Sequence, residues 1–236
     1  MSEAPAPDPD PRGAVTRTKL SRAQRVVGER MTASRASVPE FTLTVTVAMD
    51  AATEWLRKAK ASAGDRPAPS VNDLMIRACA LALREQPLAN GAYADGYLES
   101  FERVNVGFAV ATPDALLVPT IFDADRASIW EVAARSRALA ARARDRQLTL
   151  AEMGGATFTV SNLGMLGIEH FTAVINAPQA AILSIGAVRE TAVVRDGGLA
   201  VGRVATITLN CDHRALNGAE AARLLAAIRT NLEEVA

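Results

Sequence analysis

The most regular pattern in the chain is a strict alternation of apolar and polar side chains over residues 41–49. A period of two places successive side chains on opposite faces of an extended chain, so this segment is predicted to be a half-buried strand. Residues 21–37 are predicted to form the helix before it. That helix ends ahead of Pro39, because proline disfavours helical geometry in the residue that precedes it.

Apolar residues at helical spacing predict further helices along the chain. They cover residues 51–63 with Asp50 as N-cap, residues 70–86, residues 128–144 and residues 219–234. Ser128 and Glu131 form the capping box that begins the third of these helices.

Short strands are predicted between the helices and dominate the last third of the chain. They cover residues 93–98, 104–110, 116–121, 157–160, 181–188, 191–195 and 199–210. The last two are joined by Asp196-Gly197-Gly198, a sequence typical of tight hairpin turns. Helices combined with antiparallel strand pairs predict a two-layer α/β sandwich, and the chain has no internal repeat.

The composition favours a folded chain and argues against one class of partner. With 236 residues, 49% of them hydrophobic, the chain is long enough for a sizeable core. The 26 Lys and Arg residues balance 26 Asp and Glu residues, which argues against nucleic acid as a main partner. Arginines clustered over residues 135–146 are compatible with an anion site or with the solvated face of a helix. Alternating prolines up to Pro11 predict a disordered or linker-like tail over residues 1–19, followed by one domain over residues 20–236.

Cysteine and histidine are too rare for a disulfide framework or a dedicated zinc site. The chain has two cysteines, Cys79 and Cys211, and two histidines, His170 and His213. No metal is therefore expected. The N-terminus lacks the pattern of a signal peptide, and the longest uncharged stretch, residues 171–188, contains asparagine, proline and glutamine. We therefore expect a cytoplasmic protein with no membrane partner.

Candidate chemistry is concentrated where the last long strand ends, in the segment Cys211-Asp212-His213-Arg214-Ala215-Leu216-Asn217-Gly218. A strand–helix junction is a place from which side chains project. Spacing alone leaves His213 either as a functional histidine or as a capping or surface residue. Cys211 is either a thiol nucleophile on the same face as His213 or a small core residue of an apolar strand.

A second candidate is Ser161, at the end of the strand that leads into Asn162-Leu163-Gly164. The neighbouring residues match neither a nucleophile elbow nor a phosphate-binding loop, because the glycines and the Gly-Lys-Ser/Thr ending are missing. From spacing alone, Ser161 is a turn serine.

These two segments resemble the catalytic domain of dihydrolipoamide acyltransferases, the E2 components of 2-oxo-acid dehydrogenase complexes. Residues 211–218 are similar to the Asp-His-Arg-x-x-Asp-Gly signature of that family, and residues 161–167 with 171–179 resemble its second block. Further matches are Arg30-Met31, Val38-Pro39, residues 70–73 and residues 106–119, so that the resemblance extends from Leu20 to the last residue. Residues 158–164 are most similar to the pyruvate, or acetyl, branch.

The resemblance implies a chloramphenicol-acetyltransferase-like fold with a mixed sheet, assembled as a homotrimer. It implies acyl transfer between dihydrolipoamide and coenzyme A, which enter a channel between subunits from opposite ends. His213 matches the family's general base, and Ser161, from the adjacent subunit, matches the donor to the tetrahedral oxyanion. Coenzyme A is then a substrate, and the lipoyl group is carried on another domain or chain. A lipoyl domain and the E1 and E3 dehydrogenase components are the expected partners.

Asn217 departs from the family's pattern, because aspartate is usual there and any anionic role is lost. By the same resemblance, Arg57 lies where an arginine is expected to support this residue. Two functions therefore stay open: direct thioester exchange with general-base assistance, or a non-enzymatic or weakly active trimeric scaffold that organises partner dehydrogenase subunits. The resemblance also implies that trimers join into larger particles when an apolar C-terminal segment of one trimer docks into a neighbour. After Leu232 only Val235 and Ala236 are apolar, so these trimers are expected to remain discrete.

Overall fold

The structure is a computed structural model that describes residues 12–113 and 115–235. Most of the predicted tail, including its prolines, lies outside the described residues, and residues 12–20 contain neither helix nor strand. The helices are α1 (Arg22–Ser37), α2 (Asp50–Ala61), α3 (Val71–Glu85), α4 (Ile129–Arg144) and α5 (Gly218–Glu233). The strands are β1 (Glu40–Ala48), β2 (Gly91–Ala94), β3 (Tyr97–Ser100), β4 (Val106–Phe108), β5 (Val110–Ala111), β6 (Leu116–Leu117), β7 (Thr120–Ile121), β8 (Phe158–Asn162), β9 (Ala181–Ile185), β10 (Arg189–Arg195) and β11 (Gly198–Asp212).

The main sheet has the strand order β1–β11–β9–β8–β4–β7, and β10 pairs with the first half of β11. Strand β8 runs parallel to both β4 and β9, whereas β11 runs antiparallel to β1 and β9. The remaining strands form two small hairpins, β2–β3 and β5–β6. The predicted mixed sheet is therefore confirmed.

Helices α2 to α5 cover one face of this sheet and bury the apolar side chains of its strands. Ile207, Leu209 and Cys211 of β11 belong to the same buried cluster as Leu83 of α3 and Ile228 of α5. Burial of such apolar surface is the main stabilising contribution to a domain of this size. One helical layer on one sheet confirms the two-layer α/β sandwich.

The opposite face of the central strands is polar. Along β11, Thr208, Asn210 and Asp212 alternate with the core residues and point away from the helices, as the period of two requires. A small apolar cluster on this face joins Val38 and Ile182 to Ile175, whose carbonyl accepts a hydrogen bond from Ser34 of α1 at 2.7 Å. The segment around Ile175 thus shields the polar face from solvent.

Some local predictions are wrong in detail. The strand predicted over residues 93–98 is the β2–β3 hairpin, which turns at Asp95 and Gly96, both with positive φ. The strands predicted over residues 104–110 and 116–121 are each interrupted, because β4 and β7 join the main sheet while β5 and β6 pair with each other.

The predicted N-cap role of Asp50 is also wrong. Asp50 is the first residue of α2. The N-cap position is occupied by Met49, whose side chain makes no capping hydrogen bond. The Asp50 carboxylate accepts a hydrogen bond from the backbone N–H of Arg203 at 3.1 Å and pairs with the Arg195 side chain. A tertiary partner from the β10–β11 hairpin therefore replaces the local cap.

Within residues 12–113 and 115–235, no helix combines the length and the hydropathy that crossing a membrane requires.

Candidate functional site

His213 lies on a tight turn directly after the last residue of β11. The carbonyl of Asp212 accepts a hydrogen bond from the N–H of Ala215 at 3.0 Å and closes the turn. The backbone N–H of His213 donates to the Pro39 carbonyl at 3.0 Å, which fixes the turn to the start of β1. The imidazole is exposed, and its ring centroid lies 4.8 Å from that of Phe41. The histidine is therefore held by its backbone and by one aromatic contact, and its ring remains accessible to a substrate.

An ion pair braces this turn from the other side. The Arg214 guanidinium donates to both carboxylate oxygens of Asp212, with Nε–Oδ1 at 3.0 Å and Nη2–Oδ2 at 2.7 Å. The Asp212 side chain is only 4% exposed, and the hydrogen bonds that its carboxylate accepts from the guanidinium raise the pKa of Arg214. Arg214 also stacks on Tyr93, at 4.4 Å from the ring centroid. Both residues belong to the motif at residues 211–218, and an acid two positions before an arginine at a strand end is the sequence signal that points to their pairing.

Asn217 caps the helix that follows the turn. Its Oδ1 accepts hydrogen bonds from the N–H groups of Ala219 at 2.9 Å and Glu220 at 3.0 Å. The Glu220 carboxylate in turn accepts from the Asn217 N–H at 2.8 Å, which completes a capping box. The oxygen of Asn217 is thus engaged in the backbone of α5, and its amide nitrogen is the group left for other contacts.

Ser161 is the fourth residue of β8, near the strand end where the sequence predicted it. The adjacent Asn162 accepts a hydrogen bond from the N–H of Gly164 at 2.8 Å, which starts the turn after the strand. A side chain on Gly164 would lie 2.7 Å from the Gly186 carbonyl oxygen, so the turn packs directly on the backbone after β9. Met165, which follows, is 91% exposed. Ser161 therefore lies beside a rigid turn that presents apolar surface to solvent.

Within one chain, His213 and Ser161 do not come together. Ser161 pairs in register with Ser184, and Ser184 with Thr208, whereas His213 lies five residues beyond Thr208. Five residues along a strand and two strand spacings give a separation on the order of 20 Å. The two side chains also lie on opposite sides of the sheet: His213 contacts Phe41, which packs on the helix-covered core, and Ser161 alternates with the core residue Val160.

Arg57 is placed on the exposed side of α2. Its guanidinium donates through Nε and Nη2 to the two carboxylate oxygens of Glu54, both at 2.8 Å. These hydrogen bonds raise the pKa of Arg57 and lower the pKa of Glu54 to about 2. The predicted support of Asn217 by Arg57 stays a prediction.

Both cysteines lie in the core. Cys79 and Cys211 are 0% exposed, and burial raises the pKa of each thiol, that of Cys211 to about 12. A thiol nucleophile needs a lowered pKa and access to its substrate. The structure therefore favours the core interpretation of Cys211 over the nucleophile.

The block that contains Gln179 is anchored to β8 by buried polar contacts that no local sequence pattern reveals. The Thr159 hydroxyl donates to Gln179 Oε1 at 2.6 Å, and Gln179 Nε2 donates to the Ala156 carbonyl at 3.0 Å. Gln179 is 5% exposed. This anchor holds the segment before β9 against the strand that carries Ser161.

The class of protein follows from the fold. Chloramphenicol acetyltransferase superposes with a TM-score of 0.56 at 15% identity, over 86% of this chain and 94% of that chain. At this identity the likeness defines architecture alone. The protein has a chloramphenicol-acetyltransferase-like fold, as its sequence led us to expect.

The particular family follows from the sequence over the whole domain. The family described as 2-oxoacid dehydrogenases acyltransferase (catalytic domain) matches residues 12–236. The chain belongs to this family.

Named relatives agree with that assignment. The dihydrolipoyllysine-residue acetyltransferase components of the pyruvate dehydrogenase complexes of Zymomonas mobilis and Rickettsia bellii are 38% and 34% identical, over 92% and 90% of this chain. The chain spans about half the length of these relatives, 49% and 51% respectively.

A solved structure is similar over the complete chain. The Azotobacter vinelandii dihydrolipoamide acetyltransferase, studied for the role of a serine, a histidine and an asparagine in its catalytic mechanism, superposes with a TM-score of 0.93 at 30% identity. The superposition covers 100% of this chain and 98% of that one.

Proposed function

We propose that this chain transfers an acetyl group between dihydrolipoamide and coenzyme A. The observation that carries the proposal is the spacing of three residues. In sequence, the intervals between the serine, histidine and asparagine named for the Azotobacter vinelandii enzyme are the same as those between Ser161, His213 and Asn217. The accessible imidazole of His213 and the strand-end position of Ser161 suit the roles of base and hydroxyl donor.

The proposed reaction needs no covalent enzyme intermediate. His213 takes the proton of the attacking thiol. The sulfur of this thiol forms a bond to the thioester carbonyl carbon, and the carbonyl electron pair moves onto the oxygen. Ser161 donates its O–H to this oxyanion. The carbonyl of the tetrahedral intermediate then re-forms, and the bond to the departing sulfur breaks. His213 returns the proton to that sulfur. A thiol of pKa about 8.5 needs such a base at neutral pH, and general-base assistance contributes roughly 10²–10⁴ in rate.

The reaction is proposed to take place between subunits of a homotrimer. His213 and Ser161 of one chain are separated by roughly 20 Å and lie on opposite sides of the sheet. A thioester a few ångströms across cannot contact both. In addition, the β10–β11 hairpin exposes Val194, Leu199 and Val201 on one face, each more than 70% exposed. Apolar surface of this kind is typical of an interface with a second copy.

The partners are proposed on the same basis. Coenzyme A is a substrate, and the acetyl group arrives on a lipoyl group carried by another domain or chain. The curated relatives are about twice as long as this chain and are named as components of pyruvate dehydrogenase complexes. We therefore propose a lipoyl domain and the E1 and E3 dehydrogenase components as partners.

The scaffold alternative rested on Asn217 in place of aspartate. An asparagine is among the residues studied for the catalytic mechanism of the Azotobacter vinelandii enzyme, so this residue does not argue against activity. Its Oδ1 also fixes the start of α5, which supports the turn that carries His213.

Acetyl transfer from acetyl-coenzyme A to free dihydrolipoamide tests the proposal. We expect turnover by the wild-type chain and a loss in kcat of at least about 10²-fold in His213→Ala. His170→Ala, at the other histidine, is the matched control and should retain activity. A folded wild-type chain that transfers no acetyl group would support the scaffold instead, and full activity of His213→Ala would contradict the mechanism.

A further inference from the structure

Ser184 is a polar residue in an otherwise apolar strand. The other residues of β9 are Ala181, Ile182, Leu183 and Ile185, and all five are buried. Ser184 is 1% exposed, and among the described residues its hydroxyl has no hydrogen-bond partner. A buried hydroxyl without a partner is destabilising, because it has lost its hydrogen bonds to water.

The position of Ser184 in the sheet is specific. It pairs in register with Ser161 of β8 on one side and with Thr208 of β11 on the other. Residues paired in register point to the same face, here the one away from the helices. The Thr208 hydroxyl lies 3.1 Å from the hydroxyl of its own partner Thr44. Thr208 is therefore already in contact with Thr44, and Ser161 is the neighbour that remains as a partner for the Ser184 hydroxyl.

The distance between the two serines permits a hydrogen bond. Neighbouring strands are about 4.8 Å apart, so that the side chains of paired residues leave from backbone atoms at about that spacing. A change from one staggered χ1 rotamer to another moves a serine Oγ by about 2 Å. Rotation of either side chain can therefore bring the two hydroxyl oxygens within hydrogen-bond length without movement of the backbone.

We propose that Ser184 is a positioning residue for Ser161, an inference that rests on the proposed function. The Ser184 O–H donates to a lone pair of Ser161 Oγ, and the single proton of Ser161 is thereby directed to the oxyanion. A hydroxyl has one proton to donate and can accept through its lone pairs, so both bonds coexist. A hydroxyl that accepts a hydrogen bond also becomes a stronger donor. No proton is transferred between the serines.

The energetics give this arrangement a recognisable signature. In the resting protein the Ser184 hydroxyl is unpaired, so Ser184→Ala removes a buried polar group and should leave the Tm unchanged or raise it. In the transition state the hydroxyl is paired, so the same change should lower kcat. A residue that only stabilises the fold would show a lower Tm and no specific effect on kcat.

A double-mutant cycle on the purified chain tests the proposal, with acetyl-coenzyme A and free dihydrolipoamide as substrates. We expect Ser184→Ala to lower kcat about 3- to 10-fold, the effect of one hydrogen bond of ordinary net strength, and to leave the KM for both substrates unchanged. In a Ser161→Ala background, Ser184→Ala should have no further effect, because the group it positions is absent.

Ser136→Ala is the matched control. Its hydroxyl is buried between α4 and α3, where it donates to Asp73, so its removal should lower the Tm and leave kcat unchanged. An unchanged kcat in Ser184→Ala would overturn the inference. A decrease in kcat by the same factor in the wild-type and the Ser161→Ala backgrounds would also overturn it. Full activity of Ser161→Ala alone would instead contradict the proposed function.

Discussion

Asp212 and Arg214 form an ion pair across the turn that carries His213, with the carboxylate buried and the guanidinium stacked on Tyr93. Arg214→Ala should leave that carboxylate without its cation. Because Arg214 is one-third exposed, we expect a loss of about 2–3 kcal/mol in the free energy of unfolding, less than for a fully buried pair. Urea unfolding measures this loss.

The control is Arg189→Ala, which removes an exposed ion pair with Glu169 and should cost less than about 1 kcal/mol. Equal effects of the two substitutions would show that the Asp212–Arg214 pair does not stabilise the turn.

Two substitutions at Asn217 test its role as the N-cap of α5. Asn217→Ala should lower the free energy of unfolding by about 1 kcal/mol, because Ala219 and Glu220 lose their acceptor. Asn217→Asp keeps an acceptor oxygen and adds negative charge at a helix N-terminus, so its stability should match or exceed that of the wild type. Thermal unfolding at pH 7 checks both, and an Asp variant as unstable as the Ala variant would refute the capping role.

Mixed oligomers test whether His213 and Ser161 of different subunits form one site. When His213→Ala and Ser161→Ala chains are unfolded, mixed in equal amounts and refolded, random assembly should restore about a quarter of the wild-type sites. Each variant alone should show only its low residual activity under the same treatment. Recovered activity is measured as acetyl transfer, and verified mixed trimers without recovery would place both residues in one subunit's site.

The buried thiol of Cys211 predicts an alkaline loss of stability. Burial, with a smaller effect of the Asp212 carboxylate, raises the pKa of this thiol from 9.0 to about 12. Because the folded-state pKa lies above the unfolded one, the contribution of the thiol is fully present below about pH 9 and is lost as the pH rises towards 12. Urea unfolding between pH 8 and about 10.5 should therefore show a smaller loss of stability in Cys211→Ala than in the wild type.

The same variant also tests the thiol nucleophile. Acetyl transfer by Cys211→Ala should persist, since no step of the proposed reaction uses this sulfur.

Gly186 is predicted to be intolerant of any side chain. A Cβ there would lie 1.8 Å from the carbonyl oxygen of Glu169, so Gly186→Ala must displace the segment that follows Ser161. We expect a loss of more than about 2 kcal/mol in stability, together with a lower kcat. Gly28→Ala in α1 is the control, because its Cβ meets no atom within 4 Å and alanine favours a helix by about 0.5–1 kcal/mol. Gly186→Ala with wild-type stability would contradict the close contact.

The sequence was informative where one local rule dominated. The alternation in β1 and the Ser128–Glu131 capping box were predicted correctly, because each depends on residues within a few positions of one another. The partner of Asp50 was not predictable, since the backbone of Arg203 lies 153 residues away. The separation of His213 from Ser161 likewise depends on the strand order β8–β9–β11, which spacing along the chain does not reveal.

The pairing of β1 with β11 also constrains when this part of the sheet can form during synthesis. Thr42 and Asn210, which are hydrogen-bonded across this pair, are 168 residues apart. A ribosome needs roughly 10–30 s to synthesise that interval, and during this time β1 has no partner strand. Unpaired strands are sites of aggregation, and polar side chains on one face reduce that risk. We therefore expect the threonines of β1 to reduce this risk in the nascent chain, and the turn with His213 can take shape only late in synthesis.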